Sequence, residues 1–488
     1  MYICSIGGEF MSFIGRKTEF NQLNNLKYKK TASFVCLLGR RRIGKSSLIE
    51  EWSKSFSNFF EVQGLGPETE STAKDQLQHF AISLAEQFKI PQPKLSDWDE
   101  AFDYLAKLTN KKEWLIFLDE ISWLGNGDKL FAAKLKSAWD TKFKKNPQLI
   151  LVVCGSVSAW IEKNILNNTD FLGRVSLDIN LQELSLTEIN EFWVKNNFHM
   201  GSLEKMLTLS ITGGVPKYLE EIVKSKASTK SLAQICFDKG GILYRDFDKI
   251  FRDIFRRRSQ GLEKIIRLCL DEKLTPNSLA KKLKIDHNSD LTEALHILEI
   301  SGFISRDFYF KTDTSQVMKS SHIRVKDNYT RFYLKIIEPL KGKIEKGGIK
   351  FNDLNEVKNI EQILGYQFEN LILANKDLIH KVLEIKETEL NSSAPYIQKK
   401  NSRFKKGCAI DLLIHTKLDI FYLCEIKCKK IITKEIIKEV KQKIDAIAIP
   451  KRSALKPILI YQGTIYIEDE EIINNYFYKI ISFDDLIQ

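Results

Sequence analysis

The sequence predicts an α/β chain. Its first unit is a three-layer sandwich around a parallel sheet, followed by a helical lid, a helix–helix–helix–ribbon segment and a second, smaller α/β unit. Three observations predict this. Continuous apolar runs (Phe34 to Leu38, Trp114 to Leu118, Gln148 to Gly155) alternate with stretches of helical periodicity, as in strands buried on both faces with helical crossovers. A glycine-bracketed loop, Gly39-Arg40-Arg41-Arg42-Ile43-Gly44-Lys45-Ser46, leads from the first of these runs into a helical pattern. Beyond a Gly/Lys-rich stretch, Leu340 to Lys350, a new helix and a new set of strand-like runs begin.

Taken in order, residues 13–27 read as a short capped helix, 34–38 as the first strand and 44–57 as the helix after it. Phe59 to Gly64 reads as a second strand, and 72–89 and 97–109 as helices. Trp114 to Leu118 is a buried strand, Leu130 to Lys144 a helix, Gln148 to Gly155 another buried strand and Val175 to Leu181 the last. This βαβ succession implies a sandwich over residues 11–184. A helical lid over 185–260 is broken at Gly213, Gly214 and Pro216. Residues 261–340 give helix, helix, helix and ribbon, the order of a winged helix, with a connector. Residues 351–488 form the second α/β unit, with a helix near Gln362 to Asn375 and strands at Ala409–His415, Ile420–Lys427 and Pro457–Gln462.

Apolar residues make up 43% of the 488, enough for extensive cores, and no apolar run reaches the ~18 residues of a membrane helix. No membrane partner is expected. The N-terminus shows no secretory signal pattern, and Met11 reads as the natural start of the first unit. Eight scattered cysteines without a C-x-x-C fit a reduced, cytoplasmic chain. Cys408, Cys424 and Cys428 cluster late, but their spacing suits neither zinc nor iron–sulfur ligation. The net charge of +12 is compatible with a nucleic-acid partner, and equally with a lysine-rich composition throughout.

The glycine-bracketed loop has the chemistry of a phosphate cradle. Gly39 and Gly44 let the main chain come close enough for backbone N–H groups of residues 40–47 (Arg40, Arg41, Arg42, Ile43, Lys45, Ser46, Ser47) to surround an anion at a helix N-terminus. Lys45 would reach the β- and γ-phosphates of ATP, and the Ser46 hydroxyl would hold Mg²⁺. Asp119 and Glu120 end the Trp114 strand, expected beside the first strand. Asp119 would bind the same ion through water, and Glu120 would be the general base. Ser156 follows the next strand and either orients the lytic water or simply makes a turn. Arg174 precedes the last strand and either reaches a γ-phosphate or forms a surface ion pair. Reaching the phosphate of a neighbouring subunit would make a second copy of the chain a partner.

The segments FIGRKTEFNQL, GRRRIGKSSL, LIFLDEISWL, LVVCGSVSAW and TGGVPKYL resemble bacterial and archaeal P-loop ATPases of the AAA/STAND type over about residues 13–340. The resemblance implies that Gly213, Gly214 and Pro216 contact nucleotide from the lid, and that Ile14, Gly15 and Arg16 lie near the adenine. It also implies a winged helix after the lid. Only Lys217 follows the G-G-x-P, where an arginine sensor would stand. Lys281, Lys282, Lys284 and His287 lie near the DNA-reading surface of the winged helix, but its recognition helix carries Glu293 and Glu299, which favours a relay role over base reading. The basic run Phe251 to Arg258 is a phosphate strip or a solvated face.

In the last unit Asp411 precedes Glu425-Ile426-Lys427 on two strand-like runs, and Glu425 and Lys427 share one strand face. Two carboxylates can bind Mg²⁺ and the lysine can orient a water; Glu369 could add a ligand, and Gln442 or Lys443 could support the site. This is similar to the PD-(D/E)xK nuclease fold, a restriction-endonuclease-like α/β unit, with Ile410 in place of the proline. The resemblance implies catalytic roles for Asp411, Glu425 and Lys427 and double-stranded DNA as a partner. Two functions follow: an ATPase that couples its nucleotide state to a DNA-acting nuclease-like unit, or a nucleotide-dependent signalling and oligomerisation switch with a non-catalytic C-terminal module.

Overall fold

The computed structural model describes residues 13–66, 71–155, 158–225, 229–255, 258–358, 360–400 and 406–487. Two compact units emerge. The first comprises Met1–Glu183 with Ile250–Ser259 and His296–Gly302; the second comprises Leu184–Lys249, Gln260–Leu295 and Phe303–Gln488.

In the first unit β1 (Ser33–Leu38), β2 (Phe59–Gln63), β3 (Trp114–Asp119), β4 (Leu149–Cys154) and β5 (Leu177–Asn180) form one sheet in the order β2-β3-β4-β1-β5. Every pair is parallel. Alternation along the strands builds two cores. Phe34, Cys36 and Leu38 join one cluster with Phe60, Ile116, Leu118, Leu151 and Val153. Val35 and Leu37 join the other with Leu115, Phe117, Ile150, Val152 and Ile179. A strand that buries both faces reads as an unbroken apolar run, which explains the pattern in the sequence. Each such side chain contributes on the order of 1.5–3 kcal/mol. The helices follow the expected signals. Ala73–Phe88 starts at a Thr72/Asp75 capping box, and Trp98–Leu108 is capped by Asp97.

One placement differs from expectation. The strand that ends in Asp119 lies beside β4, not beside β1, so β4 separates it from the strand of the glycine loop. All strands run the same way, so β1 and β3 still end on one sheet edge, and the loop after β1 bends over the tip of β4 to meet Asp119.

The second unit begins with helices Leu186–Lys195, Ser202–Thr212, Pro216–Lys224 and Thr229–Phe237 and the first half of Ile242–Phe255. Helices Ser259–Leu268, Pro276–Leu283 and Ser289–Ile300 follow, then an antiparallel ribbon of β6 (Ile304–Phe310) and β7 (Val317–Val325). The expected Gly/Lys-rich linker is helical over Glu338–Glu345. Tertiary contacts outweigh its glycine: Ile344 is buried, and Lys341 reaches Asp248 at 2.9 Å and the Tyr333 hydroxyl at 3.1 Å.

A second sheet has the order β12-β11-β10-β9-β8, built from β8 (Leu390–Gln398), β9 (Cys408–Thr416), β10 (Ile420–Ile432), β11 (Ala454–Ile465) and β12 (Lys479–Ser482). β8–β9 and β9–β10 are antiparallel; β10–β11 and β11–β12 are parallel. Helices Ile360–Ala374 and Glu435–Ile444 accompany it. β8 and β12 were not legible in the sequence. β8 is serine-rich and carries Pro395, and β12 is four residues long.

Candidate functional site

The loop after β1 turns on two unusual backbone conformations, Gly39 at φ +139° and Gly44 at φ +88°. A Cβ on Gly39 would stand 2.7 Å from the Leu181 carbonyl oxygen, so both the angle and the space demand glycine. Gly44 caps the helix Lys45–Ser53 and aims its first N–H groups back at the loop. Lys45 is buried; its Nζ donates to the carbonyls of Gly39 at 2.7 Å and Arg40 at 3.0 Å. The ammonium therefore lies across the concave side of the loop. Ser47 is exposed on the outer side of the helix.

The Ser46 hydroxyl donates to Asp119 Oδ2 at 2.7 Å, and the Glu120 N–H donates to Asp119 Oδ1 at 2.8 Å. Glu120 is buried and sits in the left-handed region, φ +49°, at the start of the short helix Ile121–Leu124. Such a conformation is strained for a side-chain-bearing residue and is held here by its surroundings. The Gly64 N–H donates to the Asp119 carbonyl at 3.0 Å. A Cβ on Gly64 would meet Leu124 N at 2.7 Å and Glu120 O at 2.8 Å, so β2 presses on the acidic turn. A Cβ on Gly155, at the tip of β4, would be 3.9 Å from Glu120 Oε2, which places that carboxylate over the intervening strand. Burial lifts Glu61 on β2 to about 7, with Glu50 and Asp119 adding to the effect. Burial, then Asp119, holds the Cys154 thiol well above its ordinary value. The edge is thus rich in negative charge, the condition a divalent cation relieves. A hydroxyl and a carboxylate held together are a fitting donor set for Mg²⁺.

Arg16, whose backbone is left-handed at φ +60°, sends Nη2 to the Ile43 carbonyl at 3.0 Å and so ties the entry helix to the loop. Ile14 is buried beside it and Gly15 is also at positive φ. Arg40 pairs with Glu183 at 3.0 Å, and the Arg41 guanidinium lies 6.0 Å from the Trp123 ring centroid. Arg42 sits at φ +72°. The contributions of Trp123, Gly64 and Glu61 were not read from the sequence, because only the sheet order brings their segments to the loop.

Arg174 is engaged by Asp140, with Nε 2.9 Å from both carboxylate oxygens and Nη2 at 2.9 Å from one. This pair, first among its causes, pulls Asp140 down to about 2. Of the two readings the sequence offered, the ion pair is the one formed. Ser156 lies outside the described residues. Gly213, Gly214 and Pro216 lie in the second unit: Gly213 ends the helix Ser202–Thr212 at φ +59°, the Gly214 carbonyl accepts from Leu184 N–H at 2.8 Å, and Pro216 opens the next helix.

In the second unit, β9 and β10 bring Asp411 and Glu425 together through the Leu412–Cys424 register. Glu425 is fully buried. Lys427 Nζ is 2.9 Å from its Oε1 and Lys443 Nζ 2.6 Å from its Oε2. Lys427 also pairs with Glu439 at 2.9 Å. Asp411 Oδ2 accepts from the Ile426 N–H at 2.9 Å. Burial, then Glu425, raises Asp411 to about 6, while Lys443 opposes. Glu369 pairs with Lys273 at 2.6 Å. Gln442 is exposed, so Lys443 is the supporting residue. Among the described residues no three His, Cys, Asp or Glu side chains are grouped to hold a metal ion. Lys427 and Lys443 flank the Glu425 carboxylate, although its Oε1 accepts no hydrogen bond among the described residues, so a Mg²⁺ shared by Glu369, Asp411 and Glu425 would have to displace at least the Lys443 ammonium.

Residues 13–222 match a family model described as an ATPase domain predominantly from Archaea. Over these residues, 43% of the chain, the sequence is similar to that family. An uncharacterized protein of Methanocaldococcus jannaschii, MJECL04, is 25% identical over 364 residues, 74% of this chain and 76% of that one. The Walker-type ATPase PABY2304 of Pyrococcus abyssi shares the fold, with a TM-score of 0.50 at 17% identity over 66% of this chain and 96% of its own. No described helix is long and apolar enough to cross a membrane.

Proposed function

We propose that the ATPase domain hydrolyses ATP with Mg²⁺, and that its nucleotide state governs the action of the C-terminal α/β unit on DNA. The observation that carries the first half is the 2.7 Å contact of Ser46 with Asp119, with Lys45 and Glu120 on the same sheet edge. Lys45 would exchange its loop carbonyls for β- and γ-phosphate oxygens. Ser46 and Asp119 would hold Mg²⁺, whose charge offsets that of the triphosphate. Glu120 would take the proton of the attacking water. Gly213, Gly214 and Pro216 are read as the lid's nucleotide contact. Lys45→Ala is expected to lose ATP binding, and Glu120→Gln to keep binding but lose turnover by on the order of 10²-fold or more; undiminished hydrolysis in both variants rules the site out.

The helix–helix–helix–ribbon segment is read as a winged helix acting as a relay. The ATPase rate with and without double-stranded DNA, at two salt concentrations, tests the DNA half. A signalling switch with a binding module is the second reading, and the lysine-filled Glu425 carboxylate favours it. Nicking of DNA that Lys427→Ala abolishes would decide for cleavage; no nicking with ATP, with ADP or without nucleotide decides for a binding module.

A further inference from the structure

Two adjoining cavities open inside the second unit, of about 830 Å³ and 250 Å³. Both are lined by Leu270, Asp271, Arg331 and Tyr366. The larger includes no residue of the Asp411–Glu425–Lys427 cluster.

Arg331 is the unusual member. It is only 4% exposed, yet among the described residues no carboxylate lies within ion-pair distance of it. Nη1 donates to the Leu270 carbonyl and Nη2 to that of Val325 at 3.2 Å, but Nε has no acceptor. Two of its five N–H donors are thus used. The nearby Arg324 is treated differently: Asp307 meets it at 2.7 Å and 3.0 Å. The fold pairs one buried guanidinium with a carboxylate and leaves its neighbour, among the described residues, with carbonyls and the Tyr366 ring, an arrangement that favours an arriving anion. Burial, then Arg324, pulls Arg331 down to about 10.

The rest of the larger cavity matches this need. Lys335, Lys343 and Lys358 also line it, against the carboxylates of Asp271 and Glu356 only. Lys335 is committed to Asp271, whereas among the described residues Lys343 and Lys358 form no ion pair. Aliphatic and aromatic side chains make up much of the remaining wall. The Tyr366 ring lies 5.0 Å from the Arg331 guanidinium and is 44% exposed, so one of its faces is open to stacking. A bare phosphate would fill a small part of 830 Å³ and leave that apolar wall wet.

We propose that this cavity binds a nucleoside phosphate, with the phosphate toward Arg331, Lys343 and Lys358 and the base against Tyr366. The site is separate from the phosphate loop and does not depend on the ATPase reading. It has a route to the carboxylate cluster: Tyr366 and Glu369 stand on the same helix, Ile360–Ala374, and Glu369 is close enough to add to the upward shift of Asp411. Occupancy would therefore be felt by the unit's buried carboxylates.

The test uses the full chain with Lys45→Ala in the phosphate loop, titrated calorimetrically with AMP, GMP, UMP, adenosine and inorganic phosphate. At least one mononucleotide should bind at one site per chain, adenosine at least ten-fold more weakly, and inorganic phosphate should compete. Lys343→Gln and Lys358→Gln should each weaken the mononucleotide by roughly three- to ten-fold, since both lysines are exposed. Tyr366→Ala should weaken the mononucleotide and spare phosphate. Arg331→Lys should weaken both; because Arg331 also holds two carbonyls, the surface lysines and Tyr366 carry the test if this variant does not fold. The proposal is overturned if no mononucleotide binds saturably at millimolar concentration, if binding is indifferent to Lys343, Lys358 and Tyr366, or if only double-stranded DNA binds through these lysines.

Discussion

Replacing Asp411 by asparagine should make the second unit more stable in alkali and leave it nearly unchanged in acid. Asp411 is half-buried on β9 beside the fully buried Glu425, and its carboxyl is raised from the ordinary 3.8 to about 6. That displacement corresponds to roughly 3 kcal/mol. The sign follows from proton binding. Between the two values the folded chain holds a proton that the unfolded chain has lost, so the group stabilises the fold below about 4 and this stabilisation is lost as pH rises through about 6. Linkage gives a penalty of roughly 2 kcal/mol at pH 5 and about 3 kcal/mol at pH 8. The difference between variant and wild type should therefore grow by about 1 kcal/mol over that range. The asparagine can still accept from the Ile426 N–H, and the raised value already includes that bond's pull on the charged form. The gain at pH 8 is then on the order of 3 kcal/mol, a rise in melting temperature of roughly 6–12 °C for a unit of this size. Calorimetric unfolding of both proteins at pH 5 and pH 8 reads the double difference, which cancels the titrating groups that do not interact with Asp411. A gap that stays constant, or a variant less stable than wild type at pH 8, refutes the burial of an ionised Asp411 beside Glu425.

Three further outcomes follow from the geometry. Gly39→Ala forces a Cβ against the Leu181 carbonyl at a φ that alanine avoids, so ATP affinity measured by equilibrium dialysis should fall by roughly 5- to 150-fold (about 1–3 kcal/mol of strain) while the chain stays folded; unchanged affinity would show that the loop tolerates the side chain. Arg174→Ala removes the Asp140 clamp and should lower the melting temperature only slightly, because the pair is partly exposed, with little change in ATP turnover; loss of turnover by orders of magnitude would return Arg174 to a phosphate-contacting role. Lys443→Met leaves Glu425 with Lys427 alone and should destabilise the second unit by about 2–3 kcal/mol, below the full cost of breaking a buried pair because Lys443 is partly exposed; a melting temperature equal to wild type would mean that Lys427 suffices.

Local signals in the chain determined the phosphate loop and most of the first unit. Gly39 and Gly44 mark backbone angles that other residues avoid, the unbroken apolar runs mark strands covered on both faces, and Thr72 and Asp97 mark helix starts. Each of these is set within a few residues, so it survives in the linear text. Strand order is not of this kind. Only the tertiary structure decided that β4 lies between β1 and β3, that Gly64 presses on the Glu120 turn, and that Arg174 is drawn to Asp140. The glycine- and lysine-rich stretch folded as helix because Asp248, far away in sequence, and Tyr333, eight residues earlier, hold Lys341. Glu425 and Lys427 were legible as neighbours on one strand face, but the second cation, Lys443, comes from the helix after β10, and burial of the whole group sets its charge state. Arg331 is the extreme case: one arginine among many in the text, it became conspicuous only when packing removed it from water and supplied no carboxylate.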